Sequence, residues 1–354
     1  YDMDMPPFNK SAMDGFACRK GDLKNKLEII ETIFAGKQPE KTIQKNHCYK
    51  IMTGAVVPAE ADVVFKIEDA EITTDGRVLC TKPSTGSNIC YRGEDVQNGQ
   101  VVLGGSTLLT SRHLPVLAGA GVSAPSVYRQ PNVTVFASGT ELVEPNEKPL
   151  WYQIRNSNSS QLLAQLAEIG INAKYGGVVK DNKSQLFDEI EAAFLSNEII
   201  ILTGGVSVGE YDFIPGMLDE LGFEILVRST AIKPGKPMSF ARKGAKYCFG
   251  LSGNPVSSFV QFELYVKPFV YKMMGYKYKP EQFRLPLATG FKRKNAGRIN
   301  FVPANINKNM QVEPVEFHGS AHINALSGAS YLLEVPLNST MLKKGEIVNV
   351  RSIQ

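Results

Sequence analysis

The sequence has no paired cysteine spacing of the kind that holds zinc. Its five cysteines, Cys18, Cys48, Cys80, Cys90 and Cys248, are scattered and form no CxxC. An odd, dispersed set does not build a disulfide framework, so reduced thiols and a cytoplasmic location are expected. No apolar run approaches the ~20 residues that cross a bilayer, and no signal-peptide pattern opens the chain, so no membrane partner is expected. The chain begins at Tyr1 rather than at a methionine, and a preceding segment is expected. A strong charge of one sign is also missing. The net charge of +4 over 354 residues is too small to point to nucleic acid. His318 and His322 lie four apart, but Gly319 between them works against a metal pair on one helical turn.

What the chain does have is length, apolar content and turn residues. With 43% hydrophobic residues it can fill two or more cores, and its 31 glycines and 20 prolines imply many loops and short strands. Residues 21–102 lack a long helical period. They carry short β-type runs, such as Ala61 to Ile67 and Arg77-Val78-Leu79, which predict a small β-rich domain. Ser111 to Ala120 can form a short helix leading onward. Residues 131–275 change character, with strand patterns at Val133 to Ala137, Lys174 to Val179, Phe223 to Val227 and Tyr247 to Leu251. Between them, Asn156 to Ser160 offer N-caps for a helix carrying Leu162, Leu166 and Ile169. Asp181 or Asn182 can cap a second helix with Leu186, Ile190 and Phe194 on one face. Alternating strands and helices predict a parallel sheet covered on both faces. Residues 276–354 return to β patterning and predict a C-terminal β-barrel or sandwich.

The most informative stretch is Ile199 to Asp212. Four apolar residues, short enough for a buried strand, break into Thr203-Gly204-Gly205, where no side chain hinders backbone approach. Ser207, Glu210 and Asp212 follow, and then a helical segment from Phe213 to Leu221. Open α/β sheets present ligands in this way, at the carboxyl ends of their strands. A tight connection could use two glycines for the turn alone. The hydroxyl and two carboxylates within eight residues turn the reading toward a site.

Other polar groups fall after strands of the same sheet. Lys233-Pro234-Gly235-Lys236-Pro237 holds two cations on a stiff turn, so less freedom is lost when they meet an anion. Asn254-Pro255 opens the last helix with Asn as N-cap and Pro at its first position, and Ser257 adds a hydroxyl near that N-terminus. Lys180 and Lys183 flank another helix start. Together these residues suggest a pocket for phosphate-bearing or oxyanionic ligands, with Asp212 and Glu210 available for a divalent cation. Nearer the N-terminus, Asp14 sits in a small, turn-prone cluster, and Met52-Thr53-Gly54-Ala55 and Arg92-Gly93-Glu94-Asp95 read as turn chemistry or site.

Six segments in order carry a resemblance: Ser11 to Ala17, Met52 to Ala55, Arg92 to Asp95, Thr203 to Asp212, Lys233 to Pro237, and Gly253 to Ser257. The chain resembles the MoeA family of molybdopterin molybdenumtransferases, which includes the E domain of gephyrin, over essentially its whole length. The resemblance implies a homodimer of four-domain chains. These would be a segmented linking domain (1–20 and 103–130), a β-rich domain (21–102), a molybdopterin-binding α/β domain (131–275) and a C-terminal β-barrel (276–354). It implies a reaction in which adenylylated molybdopterin and molybdate are the substrates, the metal enters the dithiolene and AMP leaves. Asp14, Thr53 and Asp212 would be catalytic, with Asp14 and Thr53 facing the partner subunit's α/β domain. Gly204, Gly205, Ser207, Glu210, Lys233, Lys236, Asn254, Pro255, Ser257, Lys180 and Lys183 would bind substrate, and Asp212 with Glu210 would hold Mg²⁺. Two departures stand out. Thr140 replaces a carboxylate in Ser138-Gly139-Thr140-Glu141-Leu142, and Ser252 replaces the proline of a Leu-Pro-Gly-Asn-Pro-Val-Ser pattern. The competing readings are a partner-binding scaffold and an adenylyltransferase of the same pathway. The flanking β domains argue against the second.

Overall fold

The computed structural model describes residues 1–84, 86–180, 183–205, 214–317 and 319–353, without the side chains of Lys183, Gln185 and Leu186. It divides into two compact units, Tyr1–Ser126 and Val127–Gln354. Among the described residues no helix is long and apolar enough to cross a membrane. The five cysteines are free thiols, four of them buried. Burial pushes the Cys48 thiol up to about 12, which makes it a packing group rather than a nucleophile.

The first unit is built on a four-stranded sheet in the spatial order Glu28–Ile33, His47–Ile51, Gly15–Cys18, Val63–Lys66. Phe16, Tyr49, Ile51 and Phe65 are buried in its core. Gly15–Cys18 falls in the segment assigned from sequence to a linking domain. Here it forms an inner strand of the β-rich sheet, antiparallel to both neighbours. Gly15 permits this, because a Cβ there would lie 2.0 Å from the Phe65 carbonyl oxygen. The expected short helix is present as Leu114–Gly119.

In the second unit, the described residues of the α/β domain include a six-stranded sheet and the helices that connect or follow its strands. In chain order these are β1 (Val133–Ser138), α1 (Ser157–Glu168), β2 (Lys174–Val179), α2 (Lys183–Ser196), β3 (Ile199–Thr203), α3 (Ile214–Glu220), β4 (Glu224–Ser229), β5 (Pro237–Lys243), β6 (Lys246–Leu251) and α4 (Pro255–Gln261). Their order across the sheet is β2-β1-β3-β6-β5-β4. Strand β3 shows why an uninterrupted apolar run suits this position. Ile199 and Ile201 point into one core with Leu162 and Leu166 of α1, while Ile200 and Leu202 point into another with Ile190 of α2 and Met217 of α3. The sheet is mixed rather than wholly parallel. Strands β2, β1, β3 and β6 run parallel, whereas β5 is antiparallel to both β6 and β4. The physical reason is the length of the connection. Lys243 pairs with Lys246 across a turn containing Gly244 at φ +58°, and so tight a turn returns the chain antiparallel. Strand β5 is not expected from sequence, because Pro237 at its start and the basic residues at its end obscure its apolar alternation.

After α4 the helix passes through a π-helical turn, Phe262–Val266, into a last helix, Lys267–Met273. The C-terminal strands centre on Ile299–Ile306, which pairs with Tyr331–Val335. Tyr331–Val335 pairs in turn with Ile347–Ser352, and that strand with Gln282–Pro286. Val312–Pro314 pairs with the other side of Ile299–Ile306, and an isolated bridge joins Leu287 to Val312. Val256 and Val260 of α4 share a buried cluster with Phe301 and Leu332, which ties these strands to the α/β domain.

Candidate functional site

The chain leaves β1 for β2 on one side, then crosses back to β3 on the other, so the strand order reverses between β1 and β3. Loops diverge at such a point and leave a crevice beyond the carboxyl ends of the strands. The structure has a cleft of about 720 Å³ there, lined by Ser138, Gly139 and Glu141 after β1, Thr203, Gly204 and Gly205 after β3, and Ser252 to Pro255 after β6. Gly204 has φ +92°, and a Cβ on it would come within 2.1 Å of the Ser138 carbonyl oxygen. Only glycine lets the β3 loop seat on the end of β1.

Two buried amides brace this floor. Asn158 Nδ2 donates to Thr203 Oγ1 at 2.8 Å and to the Gly253 carbonyl at 2.8 Å, and Thr203 Oγ1 donates to the Ser252 carbonyl at 3.1 Å. The cap of α1 is Asn156, whose side chain accepts from the Ser159 N–H, and this leaves Asn158 for the cleft. Gln261, fully buried at the end of α4, accepts from the Ser252 N–H at 2.9 Å. Its Nε2 donates to the carbonyls of Gly235 at 2.8 Å and Pro237 at 2.6 Å. Sequence reading marks Asn158 only among possible caps and Gln261 not at all. The one signal is a long amide on a helix that otherwise carries apolar and small residues.

Of the residues expected to bind substrate, Gly204, Gly205, Asn254 and Pro255 line the cleft. Asn254 holds the N-cap position of α4, but its side chain makes no capping hydrogen bond. Ser257 is buried in α4, and Lys180 and Lys233 are exposed. Lys236 lines a separate pocket of about 570 Å³ with Ser229, Thr230, Asn295 and Arg298, while its neighbour Pro237 lines the main cleft. The two lysines of the basic turn are therefore not gathered into the cleft. Ser207, Glu210 and Asp212, with the side chain of Lys183, lie outside the described residues. Of the two departures, Thr140 is exposed and is not part of the cleft lining, whereas Ser252 is buried within it. Ser252 Oγ accepts from the Asn254 N–H at 3.3 Å.

In the first unit, Asp14 and Thr53 are brought together. Asp14 Oδ1 accepts from the Thr53 N–H at 2.6 Å and from its Oγ1 at 2.7 Å. These bonds, the backbone one foremost, hold the Asp14 carboxyl below the usual carboxylate range. The pair borders a pocket of about 380 Å³ that also takes in Lys66, Glu68, Asp69 and Lys82, with Lys82 paired to Asp69 at 2.6 Å. Sequence reading does not single out these last four. Among the described residues, no group of three His, Cys, Asp or Glu side chains could hold a metal ion.

The fold and the cleft define an open α/β ligand-binding domain, flanked along the chain by β-rich regions. Comparison with known proteins makes this specific. Residues 2–121 match the MoeA N-terminal region (domain I and II), residues 134–272 a probable molybdopterin binding domain, and residues 284–353 the MoeA C-terminal region (domain IV). The chain belongs to the MoeA family. A molybdopterin molybdenumtransferase of Staphylococcus epidermidis is 35% identical over 98% of this chain and 85% of its own length. One of Staphylococcus aureus is 33% identical with the same coverage. The solved molybdopterin biosynthesis MoeA protein of Pyrococcus horikoshii OT3 superposes with a TM-score of 0.83 at 28% identity, over 99% of this chain and 89% of that one.

Proposed function

We propose that this protein is a transferase of molybdenum cofactor biosynthesis that inserts molybdate-derived molybdenum into adenylylated molybdopterin and releases AMP. The observation that carries the reading is the cleft at the strand-order reversal. It lies in the region matched to a molybdopterin binding domain, and its floor is made of backbone and small polar groups. Gly204 and Gly205 let an anionic ligand approach the backbone, and Ser138, Asn158 and Ser252 supply or brace polar groups around it. Lys233 and Lys236 bring positive charge on the turn whose Pro237 borders the cleft, suited to a substrate that carries a phosphoanhydride. Molybdate is a substrate here and enters as a dianion. Asp14, fixed as a carboxylate by Thr53, and Asp212 are the catalytic carboxylates of the proposal. Mg²⁺ held by Asp212 and Glu210 belongs to the same proposal. When bound it would offset phosphoryl charge.

The reading extends to a cytoplasmic homodimer with the four-domain division given above. The bridge from Leu287 to Val312 supports treating the C-terminal strands as a barrel, since it joins the end of Gln282–Pro286 to a strand paired with Ile299–Ile306. The test supplies purified protein with adenylylated molybdopterin and molybdate and follows AMP. Release that depends on molybdate is expected. Binding of the pterin without AMP release under any molybdate concentration would overturn the catalytic reading.

A further inference from the structure

We propose that Gln261 is a positioning residue that sets the substrate site by clamping two of its loops to each other, with the backbone N–H of Ser252 as a donor the clamp needs. The inference rests on the functional reading above and adds to it a residue that touches no substrate.

Gln261 is fully buried and uses both ends of its amide. The oxygen accepts from the Ser252 N–H, and the nitrogen donates to the carbonyls of Gly235 and Pro237. One side chain thus joins the loop after β6, which lines the cleft from Ser252 to Pro255, to the basic turn before β5, which borders it through Pro237. The basic turn has other anchors: at its start Ile232 and Lys233 pair with Ile299 and Asn300 of the C-terminal strands, and its remaining contacts are local. Thr230 Oγ1 donates to the Gly235 carbonyl at 2.6 Å, and the Thr230 N–H donates to the Lys236 carbonyl at 3.0 Å. Those bonds close the turn on itself. Gln261 ties it to the loop after β6. Gly235 is shaped around the clamp, since a Cβ on it would lie 3.0 Å from Gln261 Cγ and 3.1 Å from Ile232 Cδ1.

The residue type at 252 bears on the same geometry. Proline has no N–H and would leave the buried Gln261 oxygen without this donor. Serine supplies the donor, and its hydroxyl takes the Asn254 N–H.

The experiment uses the full-length protein and measures kcat and KM for adenylylated molybdopterin in AMP release, with thermal melts on every variant. Gln261→Met keeps the length of the side chain and removes both hydrogen-bonding ends. Gln261→Glu keeps the acceptor for Ser252 and removes the donor. Both should raise KM about tenfold or more at a temperature where the melt shows them folded, with kcat changed much less, because the charged turn is displaced while the reacting groups stay. Ser252→Pro should raise KM in the parent but add little in the Gln261→Met background. A folded Gln261→Met or Gln261→Glu protein with KM within twofold of the parent would overturn the proposal, and so would fully additive effects of Ser252→Pro and Gln261→Met. If Gln261→Met does not fold, Gln261→Glu and Ser252→Pro carry the test. If the parent itself releases no AMP, the catalytic reading has failed separately, and pterin affinity of the same variants by titration calorimetry decides the clamp on the same tenfold and twofold criteria.

Discussion

Replacing Gly204 by alanine should destabilise the α/β domain and empty its cleft of ligand, whereas the same substitution at Gly216 should stabilise the protein. At Gly204 the backbone sits at φ +92° and the new methyl would fall 2.1 Å from the Ser138 carbonyl oxygen. The left-handed backbone alone costs an alanine roughly 1–2 kcal/mol. Relieving the overlap, which involves backbone and not a side chain that can swing away, adds about 1–3 kcal/mol. The sum is roughly 2–5 kcal/mol, and at about 2–4 °C per kcal/mol for a unit of this size the melting temperature should fall by at least ~4 °C. Gly216 lies inside α3 with nothing within 4 Å of the place a methyl would take, and it has no left-handed φ. Alanine there should add about 0.5–1 kcal/mol through helix propensity. Scanning calorimetry suits the comparison better than fluorescence, because the single tryptophan, Trp151, is 95% exposed and reports little of the core. Ligand binding by Gly204→Ala, measured with molybdopterin below the melting transition, should be lost, since the loop must lift off β1 to accept the methyl. A Gly204→Ala protein that melts with the parent and binds pterin equally well would refute the seating of the β3 loop on Ser138.

Two further outcomes test other parts of the chain. Thr53→Val removes one donor to Asp14 and keeps the backbone N–H, so the Asp14 pKa should rise part of the way toward the ordinary aspartate value in an NMR titration. The sign follows from linkage: a lowered carboxyl pKa gives stability that is present above the unfolded value and lost as pH falls through the folded one. The variant therefore has less to lose in acid, and an unmoved pKa would show that the hydroxyl bond contributes nothing. In the second unit, Lys267 is paired with Glu263 at 3.0 Å, and both are buried, with Gln165 Nε2 donating to the other Glu263 oxygen at 3.0 Å. Burial opposes the Lys267 charge, but Glu263 outweighs it and the ammonium pKa is raised, so this contribution is present at neutral pH and is lost only as alkaline pH passes the folded value. Lys267→Met alone should cost about 3–5 kcal/mol by leaving Glu263 buried and unpaired. Adding Glu263→Gln should recover part of that loss in calorimetry, and a double variant no better than the single one would contradict the pairing.

How far the sequence can be read depends on whether a residue acts through pattern or through reach. Strand β3 is legible because a run of apolar residues ending in two glycines has few structural uses, and the fold places both glycines in the cleft. Helices α1 and α2 are legible from caps and an apolar stripe, and α4 from the Asn254-Pro255 that opens it. Strand β5 is not, because Pro237, Arg242 and Lys243 break its alternation and its pairing is set by the turn at Gly244, a property of φ rather than of composition. Gly15–Cys18 reads with the wrong neighbours for a similar reason. Four residues carry too little periodicity to declare a sheet, and what recruits them is the absence of a Cβ opposite the Phe65 carbonyl. Within the site, charged and glycine-rich motifs draw attention to Lys233 and Lys236, yet Lys236 lines a separate pocket and Pro237 borders the cleft instead. The buried amides Asn158 and Gln261 carry no local signature at all, because their hydrogen-bond partners lie 45 and 95 residues away for Asn158 and 9, 26 and 24 residues away for Gln261. Single-sequence reasoning finds residues that announce a ligand by charge or by lacking a side chain. It misses those that hold such residues in place, and Ser252 shows the practical consequence. Taken alone it is one more loop residue, and only beside Gln261 does its backbone N–H become a donor that joins two loops.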